Sequence, residues 1–243
     1  EQLVGCGFNE ILNNSMSKTS YYKGLNVYTE ETTVKVVNPL SADLGVMRQT
    51  LLFGGLESIM RNVNRKSPNL RFFEFGNCYH YTPDKKDEDC PINAYAEETH
   101  LALWLTGKRV SGSWIHPDES TSFYELRAYV QNILRRVGMP QGMLVMEKTD
   151  NNVFSNGVVL KNRGGKSFVE MGIVSTALLK QNDIDVPVFY ADLHWDNIVK
   201  AVRKSVVSFK EISKYPSVSR DLALLLDNEI EFEQVERVAF QSE

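Results

Sequence analysis

Apolar residues along the chain recur at two spacings, and each spacing predicts a different kind of element. Repeats every three or four positions predict helices over residues 51–63, 122–137, 195–202 and 231–240. Residues 1–8 fit the end of a helix closed by Gly5 and Gly7. Apolar runs rich in β-branched and aromatic residues predict strands over residues 8–12, 33–37, 70–81, 101–106, 157–160, 167–174, 188–193 and 221–226.

Local signals set several of these boundaries. Ser122 and Glu125 have the spacing of a capping box at the start of one helix, and Gly138 follows its end. The Asn-Arg-Gly-Gly stretch at residues 162–165 is typical of a hairpin turn. Residues 82–98 are polar and charged, and we expect them to form a long loop between two strands.

The order of these elements predicts an α+β fold with antiparallel strands and interspersed helices. Residues 204–216 show no clear periodicity, so the sequence places a domain boundary near residue 207. The resulting domains are residues 1–206 and 207–243. One strand and one helix cannot bury a core alone. We therefore expect the second domain to be incomplete in this chain or to rest on the first.

Composition limits the partners that the chain can have. Its formal net charge is −4, whereas a free-standing nucleic-acid binder usually presents a basic face. Any contact with RNA is therefore expected to be local or shared with a partner. No apolar run approaches the roughly 18 residues that span a membrane. The first residues resemble neither an initiator methionine nor a signal peptide, so we expect a segment of a longer protein. The odd number and irregular spacing of the three cysteines indicate reduced thiols, so we expect the protein to be cytoplasmic.

Four segments, in the same order along the chain, resemble parts of known synthetases. Residues 7–11, Gly-Phe-Asn-Glu-Ile, are similar to the helix-to-strand junction called motif one in class II aminoacyl-tRNA synthetases. Residues 37–41, Val-Asn-Pro-Leu-Ser, and 46–56, Val-Met-Arg-Gln-Thr-Leu-Leu-Phe-Gly-Gly-Leu, closely resemble bacterial phenylalanine–tRNA ligase beta subunits. Residues 73–76, Phe-Glu-Phe-Gly, are similar to the end of the strand equivalent to motif two in that family. Residues 214–223 resemble the start of its anticodon-binding domain.

The resemblance implies a C-terminal fragment with a class II synthetase-like antiparallel sheet and flanking helices. The start of a ferredoxin-like anticodon-binding domain would follow. In the family, an (αβ)₂ heterotetramer joins phenylalanine to tRNA(Phe) with ATP and magnesium. The alpha subunit performs catalysis, and the beta module is a degenerate copy that pairs with it. The resemblance therefore implies no cofactor bound by this fragment.

The resemblance also suggests which residues contact partners. Motif one and its neighbours form the subunit interface in class II enzymes, so Phe8, Ile11, Pro39 and Leu40 are candidates for that surface or its support. Two basic residues at the start of the anticodon-binding segment, Arg220 and Lys214, are candidate tRNA contacts. An ion pair of Arg220 with Asp221 or another nearby carboxylate is the alternative interpretation.

The residues themselves favour a module without catalytic activity. An active site needs cationic groups on the ATP phosphates, because negative charge builds on the departing pyrophosphate. Arg71 and Glu74 have a spacing that fits motif two. A working motif three places a glycine-rich turn and an arginine after a strand, but here the strand at 188–193 leads into His194 and Trp195. No glycine follows Gly172, so we predict no catalytic residues.

Other chemistry has little support in the sequence. The four histidines are scattered, without a zinc-binding spacing, and the three cysteines include no CxxC pair, so we predict no metal site. Two alternative functions remain open. The chain could be an active class II ligase that uses Arg71 and Glu74, or a stand-alone RNA-binding module.

Overall fold

The structure is a computed structural model, and it describes residues 1–86, 89–140, 142–203, 205, 209, 211, 214–216 and 218–241. Contacts between Cα atoms divide the chain into two compact units, Glu1–Val206 and Val207–Glu243. The strands found in the described residues all belong to the first unit, whereas the second contains one helix.

Helices and strands are interspersed along the first unit. Its helices are α1 (Gln2–Gly5), α2 (Leu52–Asn64), α3 (Phe123–Arg136), α4 (Thr176–Gln181) and α5 (Trp195–Val202). Its strands are β1 (Asn9–Glu10), β2 (Met16–Ser17), β3 (Val46–Met47), β4 (Leu70–Tyr81), β5 (Tyr95–Thr106), β6 (Lys108–Val110), β7 (Glu119–Ser120), β8 (Leu144–Lys148), β9 (Phe154–Asn162), β10 (Ser167–Val174) and β11 (Val188–His194).

A seven-stranded sheet with the order β1-β4-β5-β11-β10-β9-β8 forms the centre of the unit. Only the β1–β4 pair is parallel, and the other pairs in this sheet are antiparallel. The long hairpin of β4 and β5 pairs Leu70 with Thr106 at one end and Tyr81 with Tyr95 at the other. The predicted α+β class and mostly antiparallel sheet are confirmed.

Both faces of the sheet are covered, because side chains alternate between faces along each strand. The α2 face, on which α2 packs, buries Leu52, Leu56, Trp104, Tyr190 and neighbouring apolar residues. The α3 face is covered by α3 and α5. Its core includes Phe8, Phe73, Leu103, Leu126, Val130 and Ile198. The sheet is therefore the middle layer of a three-layer unit.

Two adjacent glycines bring α2 close to the sheet. A Cβ built on Gly55 would overlap the indole ring of Trp104. A Cβ on Gly54 would lie 2.7 Å from Cβ of Asn13. Glycine inside a helix costs about 1 kcal/mol relative to alanine. Close packing of the helix on Trp104 explains why position 55 cannot hold a residue larger than glycine.

Most of the predicted elements are confirmed, and some of them have the predicted bounds. Strand β4 and helix α5 have the predicted limits. The Ser122 hydroxyl accepts a hydrogen bond from the backbone N–H of Glu125, at 3.3 Å, so the predicted cap of α3 is confirmed. The loop predicted at residues 82–98 is shorter, because β5 already begins at Tyr95.

Two strand predictions are wrong. Residues 33–37 form only an isolated bridge between Lys35 and Val46, because β-branched residues alone do not supply a paired neighbour. Residues 221–226 form no strand in the described part of the second unit, where Leu222 and Leu225 are exposed. A strand is stabilised by ladder hydrogen bonds to another strand, and no strand among the described residues pairs with this segment. The predicted helix after it is confirmed as α6 (Phe232–Gln241).

Candidate functional site

The α2 face contains the buried side chain that the sequence singled out as a possible catalytic carboxylate. Glu74 is fully buried in the middle of β4. The Nη1 atom of Arg48 lies 2.7 Å from Oε1 of Glu74. Asn13 donates from its backbone N–H to Oε1 at 3.2 Å and from Nδ2 to Oε2 at 2.6 Å. Both oxygens of this carboxylate are therefore occupied by the chain itself.

Arg48 joins three segments that are distant in sequence. Besides Glu74, its guanidinium donates to the backbone carbonyl of Asn77 at 2.9 Å and to that of Asn13 at 3.2 Å. A Cβ built on Gly76 would overlap Nη2 of Arg48, so glycine at this position leaves room for the guanidinium. The sequence segments at residues 46–56 and 73–76 thus meet in one buried ion pair.

Arg71 lies on the opposite face of the sheet. Residues three apart on a strand point to opposite sides, which separates Arg71 from Glu74. The guanidinium of Arg71 lies 3.1 Å from Oε1 of Glu125 on α3 and donates to the carbonyls of Cys6 and Arg109. Arg71 and Glu74 therefore do not converge on a common substrate position.

The strand and helix that correspond in order to motif three have packing roles. The ring of Trp195, the first residue of α5, packs edge-on against Phe75 with centroids 5.1 Å apart. Asp196 accepts a hydrogen bond from the backbone N–H of Thr99 at 3.0 Å, which ties α5 to β5. Neither side chain supplies a cation for a phosphate.

The centre of the α2 face is filled by aromatic residues and by a loop that precedes α2. The hydroxyl of Tyr22 accepts a hydrogen bond from the backbone N–H of Gln49 at 3.0 Å. The hydroxyls of Thr50 and Tyr190 are 3.2 Å apart, and Tyr190 donates to Asp192 at 3.2 Å. Burial, with the charge of Asp192, raises the pKa of Tyr190 well above its usual value, so this hydroxyl stays neutral.

The chain was also compared with known protein families. Residues 1–195 match the family described as the phenylalanyl tRNA synthetase beta chain CLM domain. The chain belongs to this family.

Curated relatives of the family match the whole chain or nearly all of it. The phenylalanine–tRNA ligase beta subunit of Bacteroides fragilis is 52% identical over 243 residues, which are 100% of this chain and 30% of the relative. The corresponding subunit of Porphyromonas gingivalis is 44% identical over 239 residues, 98% of this chain and 29% of the relative. The chain thus spans about 30% of the length of these relatives.

A solved synthetase shares the fold. The structure of Desulfitobacterium hafniense PylSc, a pyrrolysyl tRNA synthetase, matches with a TM-score of 0.56 at 16% identity. The match covers 83% of this chain and 65% of the other. The sheet with its single parallel edge strand is therefore a class II synthetase-like fold. In the described residues, no helix has the length and apolar character needed to cross a membrane.

The residues proposed for partner contacts have different environments. Phe8 is buried and packs edge-on against Tyr129 of α3, with centroids 4.9 Å apart. Ile11 is half-buried and its N–H donates to the carbonyl of Phe73. Pro39 and Leu40 are exposed, and Leu40 is 93% exposed.

The candidate tRNA contacts belong to the second unit. Lys214 and Arg220 are both exposed to solvent. Their exposure makes both side chains available to a partner.

The fold also brings together histidines that are scattered in the sequence. One ligand atom each from His80, Glu98 and His100 lies within 4.8 Å of the others at one end of the α2 face. His194 borders this group, with its Nδ1 3.9 Å from Oε2 of Glu98. The sequence could not show this cluster, because it depends on the register of β4, β5 and β11.

Buried charge controls the protonation of this cluster. Burial alone would lower the pKa of His100, but the Asp192 carboxylate, 2.6 Å from Nδ1, outweighs it with help from Glu98 and raises the pKa to about 10. The same pairing with His100 overcomes the effect of burial on Asp192 and lowers the pKa of that carboxyl. The adjacent histidines, His100 first, hold the pKa of Glu98 well below its usual range.

Proposed function

We propose that this chain is the synthetase-like, non-catalytic module of a phenylalanine–tRNA ligase beta subunit. In this proposal it pairs with the alpha subunit in an (αβ)₂ assembly in the cytoplasm. The whole enzyme attaches phenylalanine to tRNA(Phe) with ATP and magnesium, and the alpha subunit performs the catalysis. Membership of the CLM domain family and the relatives' names support the assignment to the beta subunit.

The proposal that this module has no catalytic activity is supported by the packing that fills the α2 face. Glu74 is fully buried and is satisfied by Arg48 and Asn13. A nucleotide would have to displace α2 or the loop residues Tyr22 and Thr50, which pack directly on the sheet. Separating Arg48 from Glu74 would leave a buried charge unpaired, at a cost of about 3–5 kcal/mol. The α2 face of this module is therefore packed as core.

The edge of the sheet next to β1 is the proposed pairing surface. In the described residues, β1 has a neighbouring strand only on its β4 side. Apolar side chains near this edge and in the loop that precedes β3 are strongly exposed: Leu12 by 89%, Val37 by 86% and Leu40 by 93%. Buried Phe8 fixes the start of β1 from beneath. Apolar residues of this kind gain stability when a partner covers them.

Co-purification with the alpha subunit tests this pairing. The full-length beta subunit with Leu40→Asp should retain markedly less alpha subunit than the unmodified protein, because the substitution places a charge in an apolar contact. Val145→Asp is the matched control, since Val145 lies on β8 at the opposite edge of the sheet and is 41% exposed. Equal retention by both variants would contradict the proposed surface.

The second unit is proposed to be the start of a ferredoxin-like anticodon-binding domain, with Lys214 and Arg220 on the tRNA backbone. Each phosphate contact that is lost should weaken tRNA binding and reduce the slope of log affinity against log salt by about 1. We expect this of Lys214→Ala and Arg220→Ala in the full-length protein. Lys200→Ala, an exposed lysine on α5, should leave the slope unchanged.

The two alternative functions have less support. Arg71 and Glu74 lie on opposite faces and are both engaged in ion pairs, which does not favour an active ligase. A stand-alone RNA-binding module would be expected to present a basic face, whereas this chain has a net charge of −4.

A further inference from the structure

His80, Glu98 and His100 form a cluster that has no part in the proposed synthetase role. The strand register places all three on the α2 face, because His100 lies opposite Gly76 on β4, and Glu98 lies opposite Cys78. One ligand atom of each residue lies within 4.8 Å of the other two. Two imidazoles and a carboxylate are ligands that divalent zinc accepts.

We propose that His80, Glu98 and His100 bind one Zn²⁺ ion. Each of the three residues would supply one ligand, and the fourth coordination position of the ion would be open to water or to the adjacent His194. It is independent of the pairing with the alpha subunit, since it depends only on the ends of three neighbouring strands.

An unsatisfied nitrogen points to a ligand at this position. The side chain of His100 is 3% exposed, and its Nε2 has no hydrogen-bond partner in the described residues. The distance from Nε2 to Oε2 of Glu98 is 3.7 Å, which is beyond hydrogen-bonding distance. A buried nitrogen without a partner is costly, and a Zn²⁺ ion that replaced the proton on Nε2 would satisfy it.

A second carboxylate already orients the ring of His100 through its other nitrogen, Nδ1. Asp192 on β11 lies 2.6 Å from Nδ1 of His100 and is itself buried. A histidine that binds metal through one nitrogen usually donates its other ring N–H to a carboxylate or carbonyl, which fixes the ring and increases its affinity. Asp192 is therefore a positioning residue for His100 in the proposed site.

The position of the cluster allows an ion to enter. The Glu98 side chain is 47% exposed and the His194 side chain 26% exposed, so solvent reaches one side. Ligand atoms around tetrahedral zinc are about 3.3 Å apart for bonds of about 2.0–2.1 Å. The cluster must contract to reach this spacing, and the exposed side chain of Glu98 has the freedom to move.

Zinc uptake by the full-length protein that contains this chain tests the proposal. Chelator-treated protein would be titrated with Zn²⁺ against a chromogenic competitor, and its bound zinc measured by mass spectrometry. The variants are His80→Gln and Glu98→Gln, and the control is His116→Gln, which removes an exposed histidine remote in sequence from the cluster. Circular dichroism checks that each variant remains folded.

The unmodified protein and His116→Gln should bind one more zinc ion than either cluster variant. Asp192→Asn should weaken the affinity for that ion by about 10–100-fold, as expected of a residue that orients a ligand. Equal zinc content in the unmodified protein, the control and the two cluster variants would overturn the proposal. A complete lack of zinc uptake by the unmodified protein would overturn it without reference to any variant.

Discussion

Gly76 leaves the space that the guanidinium of Arg48 occupies beside Glu74. Any Cβ at this position would overlap Nη2 of Arg48. The glycine therefore permits an ion pair between residues that are 26 positions apart in sequence. The ion pair connects the segments at residues 46–56 and 73–76. It also explains why the carboxylate of Glu74 is not available for chemistry.

Replacing Gly76 with alanine should destabilise the protein by displacing Arg48. Overpacking of a buried site typically costs about 1–3 kcal/mol. The free energy of unfolding, measured by chemical denaturation, should fall by this amount. Gly5→Ala is the control, because a Cβ at Gly5 would meet no atom within 4 Å. Equal stability of the two variants would contradict the overlap between a Cβ at position 76 and the guanidinium of Arg48.

Removing one partner of the Arg48–Glu74 pair should be more costly than removing both. Arg48→Met leaves the fully buried carboxylate of Glu74 without its cation, and we expect a loss of about 3–5 kcal/mol. The double variant Arg48→Met/Glu74→Leu removes both charges and should recover part of that loss.

A double-mutant cycle measured by chemical denaturation provides the comparison. It includes Glu74→Leu alone, which isolates the coupling between the two side chains. Additive losses would show that the two side chains are not coupled and would contradict the structure.

The sequence predicted the elements whose patterns are local. The run rich in aromatic residues from Leu70 to Tyr81 predicted strand β4 with the limits that the structure has. The Ser122 cap and the apolar spacing behind it predicted α3. The edge strand β8 was missed, because its residues are partly or largely exposed and lack a strong apolar run.

The site was harder to predict, because its contacts link distant segments. The sequence predicted no catalytic residues, which includes Arg71 and Glu74, but it did not indicate that Arg48 is the partner of Glu74. Nor could spacing reveal that His80, His100 and His194 meet, since the register of three strands determines their proximity. The absence of a glycine-rich turn before Trp195 was the one informative local signal.

Arg71 should be dispensable for aminoacylation. Its guanidinium binds Glu125 and two backbone carbonyls, so Arg71→Ala should reduce stability by about 2 kcal/mol through loss of charged hydrogen bonds. The rate of aminoacylation by the assembled enzyme should remain within about twofold of the original below the unfolding temperature. A catalytic arginine would instead lower kcat by about a hundredfold or more.

The number of active sites in the assembled enzyme tests the central claim most directly. If the α2 face of this module is closed, only the alpha subunit can form phenylalanyl adenylate from phenylalanine and ATP. Active-site titration of the complex should therefore give one adenylate for each pair of alpha and beta subunits, and the beta subunit alone should give none. Two adenylates for each pair, or formation by the beta subunit alone, would contradict the account.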